Sequence, residues 1–219
     1  MNKKELKKNS LPPKSKTAQN NDNDTVEETA PDYNKRQYTI EEYLGFENSS
    51  PEKHEYYQGE IFAMAGASTK HNVIWSNTFS ELCIQLKGKP CRPYGSDMRI
   101  HIPENGLFTY PDISVICGEL SSWNKDDRTF TNPLVLIEIL SASTKNYDRT
   151  TKYRLYQDIP TLKEYVLIDS TNINVEVFRK EKKEWIKEEY QSLSQQLIIK
   201  AIDITIPLIE VYGRMGLTT

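Results

Sequence analysis

Three residues carry the chemical interest of this chain. Glu138 sits inside Leu134-Val135-Leu136-Ile137-Glu138-Ile139-Leu140, a run that is otherwise wholly apolar. An ionised carboxylate in such surroundings is costly unless a cation or dense hydrogen bonding compensates it. Glu138 therefore reads either as a strand-edge acid paired with a surface lysine or as a buried acid that needs a positive partner, for which a metal ion is the functional candidate. Asp112 follows a proline in Tyr110-Pro111-Asp112-Ile113-Ser114-Val115. Proline is tolerated at the first residue of a strand, which places Asp112 at a strand start, although Pro-Asp is also a frequent turn dipeptide. Two acids on neighbouring strands and one face can hold a divalent cation through oxygen ligands. Strand alternation groups Asp112 with Ser114 and Ile116, and Glu138 with Leu136 and Leu140; whether the two faces coincide stays open. Lys152 reads either as a surface i,i+4 partner of Asp148, worth about 0.3–0.5 kcal/mol, or as an ammonium that neutralises charge beside a metal-bound phosphate.

The elements that would position these residues follow from periodicity. Thr39 with Glu42 three residues on is a capping box, opening a short helix to about Phe46. Residues 53–58 are ambiguous, and 59–64 read as a strand. Ile74, Thr78, Leu82 and Leu86 fall at helical spacing over 71–87, with Gly88 as a stop. Extended segments follow at about 91–102, 110–117 and 134–140, the last being a central strand covered on both faces. Residues 144–158 return to helical spacing behind Ser143 or Thr144 as N-cap. Strands at 164–169 and 174–179 are joined by a Ser-Thr-Asn turn, with further strands at 184–190 and near 202–206. This order predicts an α/β (α+β) fold, a mixed β-sheet flanked by helices.

Composition bounds the function class. The 219 residues are 37 % hydrophobic and carry a net charge of −3. Residues 1–36 hold almost no large apolar side chain and are expected to form a disordered polar tail, with one domain over 37–219. That tail takes eight of the 28 basic and six of the 31 acidic residues, so the remainder carries 20 basic and 25 acidic side chains, a net −5. Such a balance is awkward for bulk electrostatic binding of nucleic acid. No stretch approaches the ~20 apolar residues of a membrane span, and no secretory signal is evident. Cys83, Cys91 and Cys117 fit neither a disulfide framework nor a zinc site, and are expected as reduced thiols in a cytoplasmic protein. His54, His71 and His101 make no zinc triad, and phosphate-loop, HExxH, GxSxG and GxGxxG motifs are missing. The Trp and Tyr residues read as core and hairpin face rather than a base-stacking platform.

Pro111-Asp112 followed by Glu138 in a strand resembles the motif of the PD-(D/E)XK nuclease superfamily. More closely, the ordered blocks Tyr56-Tyr57-Gln58-Gly59-Glu60-Ile61, Met64-Ala65-Gly66-Ala67-Ser68, His71, Ser96-Asp97-Met98-Arg99, Tyr110-Pro111-Asp112, Glu138-Ile139-Leu140-Ser141-Ala142-Ser143-Thr144, Asp148-Arg149 and Lys152 resemble the Uma-type family of putative restriction endonucleases. The resemblance spans about residues 38–212. It implies a restriction-endonuclease-like fold and Mg²⁺-dependent hydrolysis of DNA phosphodiesters, with Mn²⁺ as a substitute and no small-molecule cofactor. Asp112 matches the motif's Asp and Glu138 its (D/E), so both would be metal ligands as well as catalytic residues. Leu140 occupies the usual lysine position, and Lys152 on the following helix matches the lysine that some families supply instead. Glu55 fits a further acid of the family and Asp97 a polar position beside the site. His71 is either a helix-start histidine bonding locally or a site residue.

Together these readings give a Mg²⁺-dependent DNA endonuclease, with no membrane partner and a two-fold homodimer if both strands are cut. The rivals are a nuclease-fold protein that binds DNA or a partner without cleaving, and an oligomerisation module whose acids serve only internal pairing.

Overall fold

The computed structural model describes residues 36–64 and 66–213. Apart from Arg36, the polar tail expected over 1–36 lies outside the described residues. The first half of the fold contains α1 (Ile40–Glu47), β1 (His54–Tyr57), β2 (Glu60–Ala63), α2 (Thr69–Gln85), β3 (Cys91–Gly95), β4 (Arg99–Ile102), β5 (Leu107–Thr109) and β6 (Ile113–Cys117). The second half contains β7 (Thr129–Phe130), β8 (Val135–Leu140), α3 (Lys145–Tyr147), α4 (Tyr153–Tyr156), β9 (Glu164–Asp169), β10 (Val175–Glu181), β11 (Glu184–Tyr190), β12 (Gln196–Ile199), β13 (Ile204–Pro207) and α5 (Leu208–Val211). A six-stranded sheet runs β11-β10-β9-β8-β6-β3, a five-stranded sheet runs β2-β1-β5-β4-β7, and β12 pairs β13. The larger sheet is mixed, since β8 and β9 are parallel while β6 and β8 are antiparallel. The α+β class expected from the order of elements is the class observed.

β8 is covered on both faces. Val135, Ile137 and Ile139 point into a cluster with Ile74 and Leu82 of α2 and with Leu197, Ile206 and Val211 behind them. Leu136 and Leu140 point the other way, to Ile100, Leu107, Leu155, Tyr156 and Leu167. A strand buried on both faces needs the continuous apolar sequence that 134–140 provides, and Glu138 is the exception on the second face. The α1 capping box forms as expected: Thr39 Oγ1 accepts from Glu42 N at 3.2 Å and Glu42 Oε2 accepts from Thr39 N at 2.9 Å.

Four expectations change. The segment 91–102 is not one strand: Met98 N bonds back to Gly95 O, and the turn at Ser96-Asp97 sends β3 and β4 into different sheets. The helix expected over 144–158 is interrupted by a π-helical turn, Asp148–Lys152, between α3 and α4. Strands β5, β7 and β12 fall where no strand was expected, being too short for alternation to register. Instead of three reduced thiols, Cys91 and Cys117 are joined as a disulfide and only Cys83 is free. Their pairing follows from register, which sets Cys91 directly opposite Cys117 across β3 and β6; a separation of 26 residues carries no hint of it. Among the described residues no helix is long and apolar enough to cross a membrane.

Candidate active site

Strand register decides whether the two acids meet. β6 and β8 pair Ile113 with Ile137 and Ser114 with Leu136. One step further sets Asp112 opposite Glu138, on the face shared with Ile116, Leu136 and Leu140, so the two faces left open by alternation coincide. The backbone ties them: Asp112 N donates to Glu138 Oε2 at 3.2 Å, and Ile139 N donates to Asp112 Oδ2 at 2.8 Å. His71 Nε2 lies 3.0 Å from the same Oδ2. Both contacts to the Asp112 carboxylate therefore fall on Oδ2, and Oδ1 takes neither. Trp75 Nε1 donates to Asp112 O at 2.9 Å, fixing the strand start against α2.

Lys152 reaches the same place from the π turn. Its ammonium is 3.0 Å from Glu55 Oε1, 3.1 Å from Glu138 Oε1 and 3.7 Å from Asp148 Oδ1. A four-residue step overshoots one turn of an α-helix by about 40°. The wider π turn brings Asp148, Lys152 and Tyr156 closer to one line, and all three are buried. Tyr156 Oη donates to Glu138 Oε1 at 2.8 Å, and Thr109 Oγ1 donates to Glu55. π turns of this kind recur at functional sites.

The charges at this point do not balance. Three acids, Glu55, Glu138 and Asp148, surround one ammonium, and a fourth, Asp112, adjoins Glu138. Burial pushes the Glu138 carboxyl up to about 8; Lys152 pulls it down, while Asp112 and Asp148 add to the rise. Asp148 is also raised, again mainly by burial. Burial pulls Lys152 down, yet its carboxylate neighbours, Glu138 first, outweigh this and hold it well above the usual lysine value. The two partners of one ion pair thus move in the same direction. The reason is that several acids together outweigh burial at Lys152, whereas at Glu138 the one ammonium is outweighed by burial, with Asp112 and Asp148 adding to it.

The acids open onto a cavity of about 1420 Å³ bounded by the β1–β2 hairpin, the start of α2, the 95–98 turn and the 141–152 segment. Of the residues singled out by sequence, Asp112, Glu138, Lys152, Glu55 and His71 come together here. Asp97 lines the same cavity but stands apart: its side chain is 98 % exposed and bonds Lys53 Nζ at 2.8 Å. His71 makes two kinds of contact. Its backbone N–H bonds the Ser68 cap at 3.2 Å, while its ring meets Asp112; Nδ1 is buried with no hydrogen-bond partner among the described residues. Sequence reasoning does not single out Tyr156 and Thr109 as site residues, and it names Asp148 as a surface partner of Lys152 and as part of a family block, without a role in the site. The spacing 148, 152, 156 was the available signal.

The donor set is all oxygen, which suits a hard cation such as Mg²⁺ rather than zinc. Among the described residues no group of three or more His, Cys, Asp or Glu side chains forms a ready-made metal cage. Mg²⁺ is ordinarily held by one or two carboxylates together with water and substrate phosphate, so the pair Asp112 and Glu138 fits that ion.

Similarity to known proteins agrees with this geometry. Residues 40–208 match the Uma2 family model, described as "Putative restriction endonuclease". Two uncharacterized proteins of Synechocystis sp. are similar in sequence. The chain is 36 % identical to slr1290, over 78 % of its own length and 90 % of that protein. It is 37 % identical to sll1609, over 65 % of its own length and 80 % of that protein. A crystal structure of an Anabaena variabilis protein, described as a putative nuclease belonging to DUF820, shares the fold with a TM-score of 0.66. Sequence identity there is 20 %, covering 80 % of this chain and 97 % of the other. With the greater part of the described residues matched, the chain belongs to the Uma2 family of putative restriction endonucleases.

Proposed function

We propose that the protein is a Mg²⁺-dependent endonuclease that hydrolyses phosphodiester bonds in DNA. The observation that carries this reading is the excess of acidic side chains over basic ones: four carboxyl groups converge on a cavity floor that supplies one ammonium. A site so built favours any added cation. Asp112 and Glu138 are the residues that would hold it. Bound there, the ion would supply Lewis acidity and activation of water for attack on phosphorus.

The protein's own groups do the remaining work. Ile139 N–H and His71 occupy Asp112 Oδ2 and keep the carboxylate turned one way. Tyr156 and Lys152 hold Glu138 Oε1. The Lys152 ammonium offsets negative charge developing on the phosphoryl oxygens, and Glu55 and Asp148 anchor it for that role. These positions all come from backbone inside the fold, which gives the preorganisation such catalysis needs.

The test is incubation of the full-length protein with supercoiled plasmid and Mg²⁺ or Mn²⁺, beside Asp112→Asn. Nicked or linear product that depends on metal and disappears in the variant is expected. Equal cleavage by Asp112→Asn would remove the assignment. A second reading, binding without cleavage, has its own observation: Lys152 Nζ already sits beside both Glu55 and Glu138. It predicts DNA binding with no metal-dependent product.

A further inference from the structure

We propose that the cleft takes an unpaired nucleic-acid strand rather than B-form duplex, and that a base of that strand stacks on Phe62. The proposal rests on the nuclease reading and narrows its substrate. Two independent features of the cavity support it.

The first is charge. Six carboxylates line the cavity against two lysines, Lys53 and Lys152. Neither lysine is spare for gripping further phosphates along a backbone: Lys53 is bonded to Asp97 and to Ser96, and Lys152, held by Glu55 and Glu138, is committed to the reacting phosphate alone. Duplex DNA carries one phosphate per about 1.7 Å of axis, and proteins that grip it neutralise several of them at once. A surface of this sign lowers the affinity for both strands of a duplex together. A single strand presents roughly half that linear charge and offers the faces of its bases as an alternative source of affinity.

The second is the placement of Phe62. In the β1–β2 hairpin Phe62 lies directly opposite Glu55, with Glu60 opposite Tyr57. Opposed residues of an antiparallel pair project from the same face, so Phe62 shares a face with Glu55, whose carboxylate meets Lys152. The ring is nonetheless 44 % exposed and belongs to none of the three buried clusters. Among the described residues it makes no ring contact, unlike Trp75 and Phe79, which stack on each other at 4.8 Å. Tyr57 and Tyr94 line the same cavity. An exposed ring beside an acidic floor is what an unpaired base can use: stacking is tolerant of sequence and needs no lysine.

The experiment measures binding of the full-length protein, in Ca²⁺ to hold back cleavage, to a labelled oligonucleotide as single strand and as blunt duplex, by fluorescence anisotropy over a salt series. Tighter binding of the single strand is expected, with a shallow salt slope reflecting about two phosphate contacts or fewer. Phe62→Ala is expected to weaken single-strand binding about tenfold, and Phe62→Trp to restore it, with duplex affinity unmoved by either. Duplex binding as tight as single-strand binding, with a steep salt slope, overturns the proposal. So does a Phe62→Ala variant that changes the sedimentation coefficient but not the oligonucleotide affinity, because the ring then belongs to an interface between copies. Cleavage assays keep the two readings apart. Metal-dependent cutting of duplex in preference to single strand defeats this proposal and leaves the nuclease standing. Phe62-dependent single-strand binding without cleavage of either form defeats the nuclease and leaves the binding site.

Discussion

Removing the Lys152 ammonium is the most discriminating perturbation of this site. As a surface i,i+4 partner of Asp148, Lys152 would contribute about 0.3–0.5 kcal/mol. In the structure it is 6 % exposed and contacts Glu55, Glu138 and Asp148. Taking one partner from a buried ion pair costs about 3–5 kcal/mol, because the remaining charge is left uncompensated. A domain of this size loses about 2–4 °C in Tm per kcal/mol. Lys152→Ala is therefore expected to lower Tm by roughly 6–20 °C, against about 2 °C or less for a surface pair. The assay is thermal unfolding followed by circular dichroism, in chelator and again with Mg²⁺. A cation at the vacated position restores part of the loss, by about 2.7 kcal/mol when its concentration is 100 times Kd. A Tm within about 2 °C of wild type in chelator would refute the charge accounting on which the site was built.

Other outcomes follow from the same contacts. Glu138→Gln removes an acid whose ionised form is opposed by burial, Asp112 and Asp148 and supported by Lys152, which keeps Glu55 and Asp148, so it should abolish metal-dependent cleavage while lowering Tm less than Lys152→Ala does; an equal fall in Tm would contradict this. Thr39→Ala removes the α1 capping bond to Glu42 N and should cost about 1 kcal/mol, read from denaturant midpoints at unchanged slope. Glu188 is held down to about 2, chiefly by its hydrogen bond to Arg179. A carboxyl depressed in this way stabilises the fold above its unfolded value of about 4.5 and loses that contribution as pH falls towards 2. Glu188→Gln should flatten the acid-unfolding profile across that window, and an unchanged profile would dismiss the interaction.

Much of this is legible in the amino-acid sequence, and the reasons for the remainder are physical. Glu138 announced itself because an acid within a doubly covered strand breaks a pattern that burial otherwise enforces. The capping box at Thr39 was equally local. Alternation placed Asp112 and Glu138 each on a face, but only register says that the faces agree, and register belongs to the pairing of β6 with β8 rather than to either strand. The same limit hid the Cys91–Cys117 bond. Glu55 lies on a four-residue strand and entered the sequence reading only through the family resemblance, since a lone acid on a short strand has the pattern of a solvent face. The π turn at Asp148–Lys152 left no mark in residue type. Its effect is visible only in the burial of Asp148, Lys152 and Tyr156 together.

The double covering of β8 has a consequence for how the protein fails. Proteins open piecemeal, edges and loops first and central strands last. The Ile139 amide that holds Asp112 belongs to an inner strand with β6 on one side and β9 on the other. Hydrogen exchange at that amide should therefore occur only through whole-molecule unfolding, whereas β2, the edge strand that carries Phe62, should open at lower free energy. Along a denaturant series the wall of the cleft would come away before its acidic floor, so grip on the substrate would be lost first and the carboxylate pair would survive until the chain itself gave way.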